Sequence, residues 1–521
     1  MPPETRRDRI GPGIFLLLVC VYLVTFGGHF YSGDGIEVAR TAESIVLRGD
    51  LALVRSEGER EWGYPGRGGR RFAPYALGQS LAEAPLIAVA AAAAAPLPLD
   101  AHLKTRLLHA AAVSSNVFIS AAAGWVLLLF ARRLGYGRRV AASLALMYGL
   151  GTMAWVYAHH DFADPLTALT LLGSACLLRR YGDAGARNDI VLAGILLGLS
   201  LFTKYQMVIY APVIWLYLVF LRKDRGERGL TSLIRDTALL ATPVVLFGLG
   251  DLAVNYWKFG SLMATGYEQE ASPWAGLPHV AVGLYGFLLS PGKSLFLYNP
   301  LLVAWPFAVP SFRRSHRSEC RMVLAAVAVT LAFFSPLYWW HGDWSWGPRY
   351  LLPLIPLMVL TLAPLARAAV DAPRLRRALA ALAVAAIVVN LLGLTVNFFF
   401  YIRALTGMEF VHDDWNFIPG LSPVAFHAHV IHSDLHEALF GEPIDFVYRA
   451  WRDGKFVDAV IPMGEYSRQG KVPDYFFFRP YDTALEQWSL GLTGTFLVAM
   501  TVIVALRVRR SLSGRDEAHV R

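Results

Sequence analysis

Apolar runs long enough to cross a bilayer recur along the whole chain, and the polar segments between them alternate in character. The runs cover residues 13–30, 106–131, 140–158, 165–178, 189–203, 206–221, 237–256, 296–312, 321–339, 350–366, 378–400 and 488–506. A crossing needs roughly 20 apolar residues, and backbone polar groups inside hydrocarbon must be satisfied within the segment. The pattern therefore predicts an all-α polytopic membrane protein of about twelve transmembrane helices. Residues 84–96 are apolar but short and end at Pro96, which predicts an interfacial or re-entrant piece rather than a crossing. Residues 31–105 form a first outer loop. In it Ile36, Ala39, Ala42, Ile45 and Val46 recur with helical spacing, as in a helix lying along the membrane surface. Residues 402–487 are polar and aromatic and predict a small outer insert. Residues 1–401 then form the main transmembrane domain, and 488–521 a last helix with a tail. Gly194 and Gly198 form a small-xxx-small pair suited to helix packing.

Charge orients the scheme. Arginine pairs mark the loops at Arg132–Arg139, Arg179–Arg187, Arg222–Arg235, Arg313–Arg321 and Arg367–Arg377. With the termini, these segments hold more than half of the 48 Lys and Arg residues. The positive-inside rule puts them in the cytoplasm, and the loops rich in His, Asp, Trp and Gly outside. This orientation holds only if 84–96 does not cross. The first apolar run has no small-residue cleavage site at its end and is expected to be a retained span, not a removed signal peptide.

The composition, 55% hydrophobic, is not that of a soluble protein of 521 residues. The net charge of +9 is scattered through short loops, which fits cytoplasmic anchoring to anionic lipid and argues against nucleic-acid binding. Cys20, Cys176 and Cys320 show neither disulfide nor metal-ligand spacing.

Ionisable residues cluster near the outer ends of the runs, where they are costly unless paired or functional. They are Asp34 and Glu37; His159, His160, Asp161 and Asp164; Lys204; Tyr267; Lys293 in a Ser-Pro-Gly turn; and His341, Asp343, Trp344, Arg349 and Tyr350. Cations and carboxylates around one outer cavity suit an anionic, lipid-linked substrate. Lys204, Lys293 and Arg349 would hold a phosphate, and a carboxylate would take a proton from a hydroxyl nucleophile. Plainer readings stand beside these. Asp34 and Asp164 are good helix caps, Lys204 is placed to snorkel, and the tryptophans fit an interfacial belt. The His159–Asp164 group also leaves open a divalent ion, while no cofactor is required.

Taken in order, several motifs resemble a family. They are Asp34-Gly-Ile-Glu37 opening a surface helix, Tyr75-Ala-Leu-Gly-Gln-Ser-Leu, Asp161-Phe-Ala-Asp164-Pro-Leu opening a span, and Leu201-Phe-Thr-Lys204 closing another. The chain resembles the GT-C superfamily of polyprenyl-phosphate-sugar-dependent glycosyltransferases, with protein O-mannosyltransferases and lipid A aminoarabinose transferases as the relatives it is most like. The resemblance covers residues 13 to about 400 and not the 402–487 insert. It implies a GT-C-like bundle with outer juxtamembrane helices. It also implies a bacterial-type plasma membrane, a polyprenyl-phosphate-linked sugar donor and a periplasmic site. Asp34 would be the catalytic base, with Glu37 and Asp164 as further acids and Lys204 near the lipid phosphate. Many relatives carry an acid directly after the first aspartate, where this chain has Gly35. Two other classes remain, a transporter or flippase of lipid-linked saccharides and a non-catalytic member of the same fold. The sequence does not name the sugar, the acceptor or the oligomeric state.

Overall fold

The computed structural model describes residues 10–53, 61–267, 274–342, 344–452, 455–470, 472–477 and 484–513. Helices dominate. The first half contains α1 (Ile10–Val24), α2 (Gly33–Arg48), α3 (Gly78–Ala94), α4 (Ala101–Arg133), α5 (Arg138–Leu150), α6 (Ala154–His159), α7 (Asp164–Ala184), α8 (Arg187–Leu201), α9 (Ala211–Asp224) and α10 (Leu230–Phe259). A two-stranded ribbon, β1 (Tyr64–Pro65) with β2 (Arg71–Phe72), lies between α2 and α3. The second half runs through α11 (His279–Leu289), α12 (Leu295–Tyr298), α13 (Trp305–Ser315), α14 (Arg317–Phe334), α15 (Ile355–Leu360), α16 (Ala363–Ala368) and α17 (Pro373–Thr395). It continues with α18 (Phe398–Thr406), α19 (His412–Phe417), α20 (Pro423–Phe440), the antiparallel strands β3 (Phe446–Arg452) and β4 (Lys455–Ile461), α21 (Met463–Gly470) and α22 (Ala484–Ser513). The domain boundary expected at residue 401 thus falls inside α18.

The chain is a multi-pass helical membrane protein. Among the described residues five helices are long and apolar enough to cross a membrane by themselves: Leu103–Arg133, Tyr205–Asp224, Leu230–Phe259, Pro373–Thr395 and Leu490–Leu512. The 165–178 run lies in α7, an unbroken helix, and the other predicted runs fold as shorter or interrupted helices. The 296–312 run is broken around Pro300 and Pro306, and the 350–366 run around Pro353 and Pro356. Proline lacks the N–H that would continue the helical ladder. Gly194 and Gly198 do mediate packing. A Cβ on either would run into α10, at the Leu240 carbonyl and the Phe247 ring respectively, so α8 and α10 touch backbone to backbone.

α4 lies at the centre, against α1, α3, α5, α6 and α7. Its Asn116 amide donates to the carbonyls of His160 and Phe162, at 2.7 and 2.8 Å. That places residue 116 level with the turn between α6 and α7. The part of α4 before Asn116 therefore extends beyond that turn, and α3 packs on it through Ile87 and Ala112. Residues 84–94 belong to α3, one of the shorter apolar helices. A cysteine at Gly137, between α4 and α5, and one at Leu439, exposed near the end of α20, are expected to react from opposite sides of the membrane. Labelling of both from one side would contradict the orientation.

Candidate functional site

The site is built where four chain turns meet at the outer end of the bundle. The first carries Asp34. Expected as an N-cap, Asp34 is not one: Ser32 caps α2, accepting from the Gly35 amide at 2.9 Å. Asp34 sits in the first helical turn with 47% of its side chain exposed. It accepts from the Tyr75 hydroxyl at 2.8 Å and faces Arg349 Nη1 at 3.4 Å. Burial raises the Tyr75 phenol well above its ordinary range, so it remains a donor to Asp34.

Gly35 has a spatial cause. A Cβ built there would overlap the Asp161 carboxylate. Asp161 is buried and accepts from the Tyr31 amide, the Ser32 amide and the Ser32 hydroxyl, each at 3.2 Å. Burial pushes its carboxyl up to about 7, against these donors. The acid found beside Asp34 is thus supplied from the α6–α7 turn. Gly35→Ala is expected to destabilise the protein by about 1–3 kcal/mol, the range for an overpacked site. Melting of the purified protein would show this, and Gly35→Ala/Asp161→Ala should recover part of the loss.

The second and third turns supply an ion pair. Asp164 opens α7, after Ala163 as cap, and is buried. Lys204, at the end of α8, donates to it at 2.7 Å. Burial lowers the lysine pKa and Asp164 opposes the shift. The fourth turn delivers Arg349. Its loop is anchored from below. Lys293 Nζ donates to the Ser345 carbonyl and hydroxyl at 2.6 and 3.1 Å, and the Tyr157 hydroxyl donates to the Trp346 carbonyl at 2.9 Å. Gly347 adopts φ +63° with no room for a Cβ against Tyr298. The Arg349 guanidinium lies 4.3 Å from the Phe162 ring centroid and 5.4 Å from that of Tyr350, and its Nε has no hydrogen-bond partner among the described residues. Asp34, Asp164, Lys204 and Arg349 are close enough to interact electrostatically.

Beneath the ion pair lies a small pocket lined by Asp164, Lys204, Thr167, Gln206 and the apolar faces of Met207, Tyr210, Phe334, Tyr350 and Pro353.

The remaining sequence candidates are placed as follows. Glu37 accepts from the Gly63 amide at 2.8 Å and holds the loop that leads into β1. Lys293 does not line the cavity beside Lys204. It is buried under the 342–349 loop, because Ser345 offers it two oxygens there. His160 is buried and stacked on Tyr31 at 4.2 Å. Tyr267 packs edge-on against Tyr75 at 6.0 Å, on the rim beside Asp34. His341 stacks on His412 of the insert at 4.8 Å, and Trp344 packs on Phe399. Asp343 lies outside the described residues. Sequence reasoning missed Tyr75, Phe162 and Asp474 as site residues. Tyr75 stood in a quoted motif, but nothing in the sequence paired it with Asp34. Among the described residues no group of three or more His, Cys, Asp or Glu is placed to hold a metal ion.

Fold and site together define a multi-pass helical membrane protein with two carboxylates and two cations gathered beside a small pocket. No family model matches the chain, and no curated protein matches it. Among solved structures it is similar to ArnT from Cupriavidus metallidurans in the apo state, with 16% identity, TM-score 0.48, and coverage of 82% of this chain and 69% of that one. ArnT bound to undecaprenyl phosphate is similar at 15% identity and TM-score 0.46, over 82% and 71% of the two chains. The apo oligosaccharyltransferase of Archaeoglobus fulgidus is similar at 11% identity and TM-score 0.47, over 79% of this chain and 59% of that one.

Proposed function

We propose that this protein transfers a sugar from a polyprenyl-phosphate donor to an acceptor hydroxyl at the outer face of the membrane. The observation that carries the reading is the cluster of charges itself. A half-exposed carboxylate, Asp34, contacts Arg349, and Lys204 pairs with Asp164 beside a small, largely apolar pocket. The two cations suit the phosphate of a lipid-linked donor, and Asp34, half in water, suits an acceptor hydroxyl.

In the reaction, the acceptor hydroxyl gives its proton to Asp34 as its oxygen attacks the anomeric carbon. The bond between that carbon and the phosphate oxygen breaks, and the lipid phosphate leaves with the electron pair. Lys204 and Arg349 stabilise the charge that grows on the departing phosphate. The resting Arg349–Asp34 contact is long, at 3.4 Å. A phosphate competes for the guanidinium and leaves the aspartate free to act as base. Cells lacking the protein are expected to accumulate a polyprenyl-phosphate sugar, which lipid analysis by mass spectrometry would detect. Unchanged lipid-linked sugars would sink the reading. A transporter would instead call for paired charges in mid-span and inverted repeats. The charges described here gather at one end.

A further inference from the structure

A second polar cluster lies beside the cavity and is not used by the chemistry above. Its centre is Asp474, from the outer segment that follows α21, 1% exposed. Three other chain segments converge on it. His29 Nε2 lies 2.8 Å from Oδ1 and 3.1 Å from Oδ2, the Tyr31 hydroxyl donates to Oδ2 at 2.8 Å, and the Asn397 amide donates to Oδ2 at 3.1 Å. His159 Nε2 stands 4.0 Å away and bonds the same Tyr31 hydroxyl. The segment is pinned there by its backbone, since the Asp474 amide donates to the Thr395 carbonyl at 2.9 Å and the Phe476 amide to that of Phe26.

We infer that Asp474 is a positioning residue for Asp34, so that the outer insert completes the active site instead of merely decorating it. The link is Tyr31. Its amide, with that of Ser32, is held by Asp161, its ring lies between His29 at 4.4 Å and His160 at 4.2 Å, and its hydroxyl is held by Asp474 and His159. Ser32 caps α2, and Asp34 follows two residues later. The direction of the first turn of α2, and with it the aim of Asp34, is therefore set from both ends of Tyr31. Charge explains the residue type. The groups facing Asp474 are hydrogen-bond donors or can become so, and a carboxylate accepts at both oxygens, whereas an asparagine would turn an N–H towards them. His29 and His159 hold the Asp474 carboxyl well below the usual carboxylate range, although burial alone would raise it.

The inference rests on Asp34 being the base, and its test separates the two ideas. The full-length protein in nanodiscs is compared with Asp474→Asn for amide hydrogen exchange and for affinity towards undecaprenyl phosphate. Cells carrying each variant are compared for polyprenyl-phosphate sugars. In Asp474→Asn, exchange at Tyr31, Ser32, Gly35 and Ile36 is expected to rise about tenfold, the scale of one hydrogen bond to a charged group. Lipid-phosphate affinity should stay at the wild-type value, because Lys204 and Arg349 are untouched, while the cells accumulate the lipid-linked sugar. The exchanged pair Asn397→Asp/Asp474→Asn should restore both exchange and lipid profile. Position 397 caps α18, where aspartate serves as well as asparagine, and it lies 3.4 Å from His29. Should Asp474→Asn fail to fold, Tyr31→Phe removes the same link by one hydroxyl and is expected to give the same exchange pattern. Wild-type exchange at these amides in the variant that folds would overturn the inference. So would a fall in lipid-phosphate affinity equal to the loss of transfer. If the wild-type protein does not bind undecaprenyl phosphate, it is the functional reading that falls, and the exchange result still decides the role of Asp474.

Discussion

Asp34→Asn is expected to end sugar transfer while the protein still folds. The helix it sits on does not depend on it, since Ser32 provides the cap and Asp161 anchors the preceding backbone. Asparagine still accepts from Tyr75, and about half of the side chain is in water, so the stability change should be small. Removing a general base costs roughly 10²–10⁴-fold in rate. Cells carrying Asp34→Asn should accumulate the lipid-linked sugar as fully as cells without the protein, and the purified variant should melt close to the wild type. Glu37→Gln is the control. Glu37 holds the Gly63 amide, so its loss should loosen the loop before β1 and leave most of the transfer intact. If transfer survives Asp34→Asn but not Glu37→Gln, the base lies one turn further along α2.

Lys204→Met is expected to have the largest effect on stability and to weaken donor binding as well. It leaves Asp164 buried without its cation, and breaking a buried pair from one side costs about 3–5 kcal/mol. Lys204→Met/Asp164→Leu removes both charges and should regain most of that loss, because two apolar groups of similar size fill the space. Lipid-phosphate affinity should not return in the double variant. Arg349→Gln should cost roughly 10- to 100-fold in that affinity, the scale of a charge-assisted hydrogen bond to phosphate. Thermal unfolding and binding of undecaprenyl phosphate in nanodiscs separate the two contributions. A double variant that regains both stability and affinity would mean that Lys204 only neutralises Asp164.

Much of the site was visible in one dimension. Asp34, Asp164, Lys204 and Arg349 each stand at the end of an apolar run, where an ionisable group is expensive, and that expense marks them out. Lys293 gives the same signal. It too ends an apolar stretch, but the cost of its burial is met by Ser345, fifty-two residues away in the chain. Asp161 stood in the His159–Asp164 cluster without its partner, and Asp474 read as an ordinary polar residue. The bonds that give them their roles reach Tyr31 across 130 and 443 residues. Gly35 looked like a missing acid until Asp161 was seen to occupy its side-chain space.

The sequence by itself determined that this chain enters a membrane many times. That outcome depends on sums over neighbouring residues, the transfer of consecutive apolar side chains into hydrocarbon. It also placed the helix after the first span, because an amphipathic period is local, although the cap is Ser32 and not Asp34. Only the tertiary structure decided which carboxylate meets which cation. Asp34 and Arg349 lie 315 residues apart, and His29 and Asp474 lie 445 apart. Such pairs form because helix packing brings four outer turns to one place, and inside the protein a charge without a partner costs too much to persist.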